Sequence, residues 1–127
     1  MGLKEKQAMA NLDFGWSKKS LKSSTGNDIK IELDTNTFND DMDAIMYADQ
    51  KGAMAAANGI SKVCHNDIGK EAFTALKVAK VKLVNHKEAG TKKIAVNAGV
   101  LELHGTWGAN SDYFSEGEVR DEIENML

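Results

Sequence analysis

Glu102 and His104 stand two residues apart, so on an extended strand both side chains emerge from one face. A carboxylate beside an imidazole tunes the basicity of the ring. Trp107, Tyr113 and Phe114 follow closely in sequence, and aromatic rings of this kind wall small-molecule pockets. Glu102, His104, Trp107 and Tyr113 are therefore the candidate ligand-binding residues. The competing reading of the same residues is an exposed polar pair on the wet side of a hairpin, with Trp107 in the core.

Other chemistry-bearing patterns fall short. Cys64 and His65 are adjacent, and no second thiol, C-x-x-C or H-x-x-x-H accompanies them, so a zinc site is not expected. Asp34-x-Asn36 begins like a calcium loop. However, Asn39 stands at its glycine position and Ile45 where the bidentate glutamate belongs. Cys64 with a histidine would make a nucleophile pair, but a lone cysteine is more commonly a small core residue. Neither G-x-G-x-x-G nor G-x-x-x-x-G-K-[ST] occurs, which leaves nucleotide binding without support. The chain has a net charge of −3 and one arginine, Arg120, so base reading in nucleic acid is disfavoured as well. The sequence indicates no catalytic residue, metal or cofactor.

The elements that must position these residues follow from periodicity. Ile29-Lys30-Ile31-Glu32-Leu33 alternates strictly and predicts a half-buried strand over 29–33. Lys93–Trp107 reads as a hairpin. A two-residue loop at Ala98-Gly99 pairs Val96 with Leu101 and Ile94 with Leu103 on one apolar face, and sets Lys93 and Ala95 against His104 and Glu102 on the other. Leu3–Leu12 suggests a short helix. A longer helix is expected after an Asn39 N-cap, with Asp40, Asp41 and Asp43 in its first turn and Asn58-Gly59 as its stop. Asn66 caps a second helix over Asp67–Lys87, on the stripe Ala72, Leu76, Ala79 and Leu83, although Val78–Val84 is also strand-like. Ser115 and Glu118 form a capping box that opens a C-terminal helix carrying Val119, Ile123, Met126 and Leu127.

The stretch Val96–Trp107 resembles the V-x-N-G-V-V-x-L-x-G-T-V hairpin of BON domains, which are small periplasmic or membrane-associated modules. The resemblance covers roughly a tenth of the chain and would imply a further helix and a third strand after the hairpin. It transfers no function to these residues.

These elements predict an α+β fold: a small, mainly antiparallel sheet (strand 29–33 plus hairpin 93–107) packed against two longer helices and a C-terminal one. A chain of 127 residues suits one domain, 1–127, with the polar stretch 17–27 as a connecting segment. A single cysteine forms no internal disulfide, and the N-terminus shows no apolar signal segment. A reducing, cytoplasmic setting is expected. No apolar run approaches the ~20 residues of a membrane span, so no membrane partner is expected.

Charge is arranged in blocks. Residues 1–22 carry five lysines and two acids, 23–50 one lysine and seven acids, 51–93 nine lysines and three acids, and 94–127 one arginine and seven acids. Such blocks pair within one fold or across copies of it. Three strands leave edges that need covering or pairing. The small residues Gly52, Ala53 and Ala56, and the apolar Val119, Ile123 and Leu127, are the candidate contacts between subunits. The functional expectation is a non-enzymatic accessory or interaction protein of bacterial or phage type, acting through a protein–protein surface on an unidentified protein partner and pairing with itself as a homo-oligomer. Motif-free chains of this size are common in mobile-element cargo. The alternative is a small ligand-binding domain or enzyme with a pocket near the 100–113 hairpin.

Overall fold

The computed structural model describes residues 2–127, and it is a sheet layered against helices. In chain order the elements are α1 (Leu3–Ala10), α2 (Gly15–Thr25), β1 (Lys30–Leu33), α3 (Thr35–Phe38), α4 (Met42–Tyr47), a π-helical stretch Ala48–Ala53, α5 (Met54–Val63), α6 (Asp67–Ala75), β2 (Lys80–Asn85), β3 (Lys93–Asn97), β4 (Val100–Gly105) and α7 (Glu116–Glu124). The α+β class holds. The sheet is mixed rather than mainly antiparallel: its order is β1-β2-β4-β3, β1–β2 and β2–β4 pair parallel, and only the β3–β4 hairpin is antiparallel.

The difference traces to β2. The helix expected to run to Lys87 ends at Ala75, and Lys77 turns the chain with φ 56°. From Lys80 the burial period becomes two: Val81 and Leu83 enter the core, whereas Lys80 and Lys82 face outward. Hydrogen bonding to a neighbour on both sides outweighs the helical stripe, because a central strand satisfies its backbone along both edges.

The hairpin has the expected register: Val96 opposes Leu101, Ile94 opposes Leu103, Ala95 opposes Glu102 and Lys93 opposes His104. Ala98 and Gly99 both take positive φ, 52° and 80°, which a two-residue turn matching the strand twist requires.

Two further local readings change. The polar segment 17–27 is mostly helix, because Ser17, Leu21 and Thr25 form a buried stripe at four-residue spacing and Gly26 ends it in the left-handed region. The helix expected from Asn39 begins instead at Asp41, whose Oδ1 accepts from the Ala44 amide at 3.1 Å. That helix also passes through Gly59 to Val63. Gly59 is not a stop but the point where α5 meets α7, since a Cβ there would lie 2.4 Å from Val119 Cγ1. After the hairpin the described chain forms one helix and no further strand.

Six of the seven helices contribute apolar residues to one buried cluster, which rests on Ile31, Val81, Leu83, Leu101 and Leu103 of the sheet, and α1 packs Ala8 and Met9 against it. The helices therefore share one side of the sheet. The other side presents Lys30, Glu32, Lys80, Lys82, Lys93, Ala95, Glu102 and His104. No described helix is long and apolar enough to cross a membrane.

Candidate functional site

The polar side of the sheet holds a chain of three titratable groups. Glu102 and His104 project from the same face of β4, and Glu102 Oε1 lies 2.9 Å from His104 Nε2. His86, one residue beyond β2, continues that strand's pairing by donating its amide to Gly105 O at 2.8 Å. This extension sets its ring against His104, with 2.7 Å from His86 Nε2 to His104 Nδ1 and ring centroids 5.0 Å apart.

With both rings neutral, the bonding pattern allows one arrangement of protons. An ionised Glu102 accepts from Nε2–H of His104, which leaves Nδ1 of His104 to accept from Nε2–H of His86. The lone pair then lies at His86 Nδ1, a nitrogen that makes no hydrogen bond among the described residues. Val84 and Lys93 flank His104 in the sheet, and Lys82 and Ala95 flank Glu102. Burial holds the His86 pKa below the ordinary histidine value, helped by His104 and by the positive charge of Lys93. The arrangement suits an acid–base relay that presents a neutral imidazole at its outer end.

Asn85, the residue before His86, anchors this region from the helix side. Its side-chain amide donates to Thr37 O and to Asp41 Oδ2, both at 3.1 Å, and its Oδ1 accepts from the Trp107 amide at 3.3 Å. Its own backbone amide donates to Thr37 Oγ1 at 3.0 Å. The loop after β2 is tied to the loop after β4: Thr106 Oγ1 donates to Glu88 O, and the Gly90 amide donates to Asp112 Oδ2. The position of His86 is therefore set from both sides of the sheet.

A cleft of about 290 Å³ opens at the carboxyl ends of β2 and β4, lined by Asp40, Asp41, Asp43, Lys87, Thr106 and Asn110 among others. Ligands of parallel sheets commonly sit at such ends. Here Asp40, Asp41 and Lys87 are already engaged. Lys87 bonds Asp40 at 2.6 Å and lowers that carboxyl's pKa, and Asp41 is taken up by Ala44 and Asn85.

No family model, curated protein or solved structure matches the chain. The site is therefore read from its own geometry.

The four candidate ligand-binding residues divide between the two sides of the sheet. Glu102 and His104 meet on the polar side. Trp107 and Tyr113 belong to the helix side, because strand alternation turns Gly105 away from His104, and a Cβ on Gly105 would lie 2.9 Å from the Trp107 ring and 3.2 Å from Tyr113 Cβ. Trp107 is buried, stacks on Phe38 with centroids 6.0 Å apart, and donates Nε1–H to Lys51 O. Tyr113 accepts from Lys51 Nζ at 2.8 Å, a bond that raises the lysine's pKa. The expected pocket uniting all four residues is thus not formed.

Of the candidate subunit contacts, Gly52, Ala53, Ala56, Val119 and Ile123 lie in the chain's own core. The close helix contact that small residues permit is made within the chain, where α5 packs on α7. Leu127 remains exposed. Sequence reasoning missed His86, hidden inside the helix expected over 67–87, and Asn85. The alternation Val81-x-Leu83 was the available signal for both. Among the described residues no group of three His, Cys, Asp or Glu converges in the manner of a metal site.

Proposed function

We propose that the chain is a non-enzymatic accessory protein of bacterial or phage type that works in the cytoplasm through protein–protein contact, as a homo-oligomer. The observation that carries this reading is the amount of β-structure left without a neighbour. β1 and β3 are both edge strands, and one whole side of the sheet has no helix against it. Natural sheets cover, blunt or pair such edges. The polar side carries Lys30, Lys80, Lys82 and Lys93 against Glu32 and Glu102, and only the Lys80–Glu32 pair at 3.1 Å joins opposite charges among these six. A cationic surface of this kind favours an acidic protein partner.

The Glu102–His104–His86 relay favours a second reading, a small-ligand or proton-transfer site in which His86 Nδ1 is the base.

A native mass spectrum of the purified protein separates the two. An oligomer of bare chains is expected. A monomer would overturn the oligomer, and a retained small-molecule mass would move the function to the relay.

A further inference from the structure

We propose that the oligomer is built by antiparallel pairing of β3 with β3 of a second copy, joining two four-stranded sheets into one of eight strands. The inference rests on the homo-oligomer reading above and names its interface.

The hairpin register decides which backbone groups are free. In an antiparallel ladder closed by a two-residue turn, the pair flanking the turn exchanges both hydrogen bonds, and so does every second pair after it. Asn97, Ala95 and Lys93 therefore bond to Val100, Glu102 and His104, leaving the amide and carbonyl of Ile94 and Val96 to point away from the sheet. These four groups have no other hydrogen bond among the described residues. An incoming extended backbone satisfies them.

Beside that edge runs a trough of about 640 Å³, lined by Ala75, Leu76, Ile94, Val96 and Met126 among others. Ile94 and Val96 face it from the strand and are only half-buried. The cleft beside the other edge strand, β1, differs in chemistry. It is lined by Lys18, Asp28, Lys30 and Glu32 as well as Ile29 and Ile31, which sets two lysines and two acids along the edge where a further strand would have to seat.

A second copy fits the β3 edge. A two-fold axis through Ala95 sets Ile94 opposite Val96 of the copy, and Val96 opposite its Ile94, so all four free backbone groups on each strand are bonded. The trough of one copy then continues into that of the other, bringing Ile94 and Val96 of both strands together. Lys93, the only charge on the strand, faces the neutral Asn97 of the copy. The two Lys93 residues lie four positions apart, about 13 Å along the strand, beyond the screening length at physiological salt. Ala95 meets Ala95 on the polar side of the sheet, where the small exposed side chain leaves room.

The test uses that last pair. Facing residues of a non-hydrogen-bonded pair have Cα atoms about 4.5 Å apart, within disulfide reach. Ala95→Cys in the full chain is expected to give a disulfide-linked dimer under mild oxidation. Wild type, with its buried Cys64, and Ala109→Cys, on an exposed loop, are expected to give none. Ala95→Lys sits opposite Glu102 within its own chain and opposite itself across the axis, so it should weaken the dimer several-fold while the monomer stays folded by circular dichroism. If wild type is oligomeric but Ala95→Cys does not crosslink and Ala95→Lys dissociates no more readily, the β3 interface is wrong and the oligomer stands. If wild type is a monomer at all accessible concentrations, both readings fall together.

Discussion

His86 Nε2 sits 2.7 Å from His104 Nδ1, although His86 follows β2, His104 lies on β4 and the two are 18 positions apart. β2 and β4 run parallel with Val84 beside His104, so the residue two further along β2 reaches the same face one step beyond. That geometry determines how the protein should respond to acid. Because burial, His104 and Lys93 lower the folded-state pKa of His86, the unfolded chain binds its proton first. The stabilisation is complete above the unfolded value of about 6.5 and is lost as pH falls through the folded value. The midpoint of urea unfolding should therefore decrease from pH 7 toward pH 5, and His86→Gln should flatten that decrease. An equal slope in the variant would remove His86 as its source.

Asn85 is a buried amide with every polar group engaged, so truncation strands its partners. Asn85→Ala leaves Asp41 Oδ2, Thr37 O and the Trp107 amide without a bond. The expected cost is about 1–3 kcal/mol, read as a lower urea midpoint with the slope unchanged.

Gly59 allows α5 and α7 to touch. With a Cβ 2.4 Å from Val119 Cγ1, Gly59→Ala should destabilise by about 1–3 kcal/mol. Adding Val119→Gly should restore part of that loss, because it removes both Cγ1 and the residue 119 Cβ that lies 2.6 Å from the added Cβ, although Val119→Gly alone is destabilising. A double-mutant cycle measures the coupling, and strictly additive effects would contradict the contact.

Ala98 occupies the left-handed region with φ 52°, which costs an alanine about 1–2 kcal/mol and an asparagine less. Ala98→Asn should raise the thermal midpoint without altering the register. A lower midpoint would show that the turn is held by something other than its own dihedral preference.

Much of the framework was legible without coordinates because it rests on local rules. The hairpin register followed from turn length and the alternation of Ile94, Val96, Leu101 and Leu103, and the C-terminal helix start followed from Ser115 and Glu118, whose reciprocal capping bonds are both present. The shared face of Glu102 and His104 followed from a strand period of two. What failed was non-local. Residues 78–84 satisfy either period, and only the strands on either side of β2 select the extended form. Gly59 reads as a stop in isolation, and only Val119 makes it a contact.

The sequence by itself determined which residues alternate, where the turn and caps lie, and that Glu102 and His104 stand together, because neighbouring dihedrals and side-chain periods settle these. The tertiary structure alone decided that β2 is central, that the sheet is mixed, that Trp107 and Tyr113 lie across the sheet from His104, and that His86 completes the relay. Each of those depends on backbone hydrogen bonds and packing between segments distant in the chain, whose energies no local window contains.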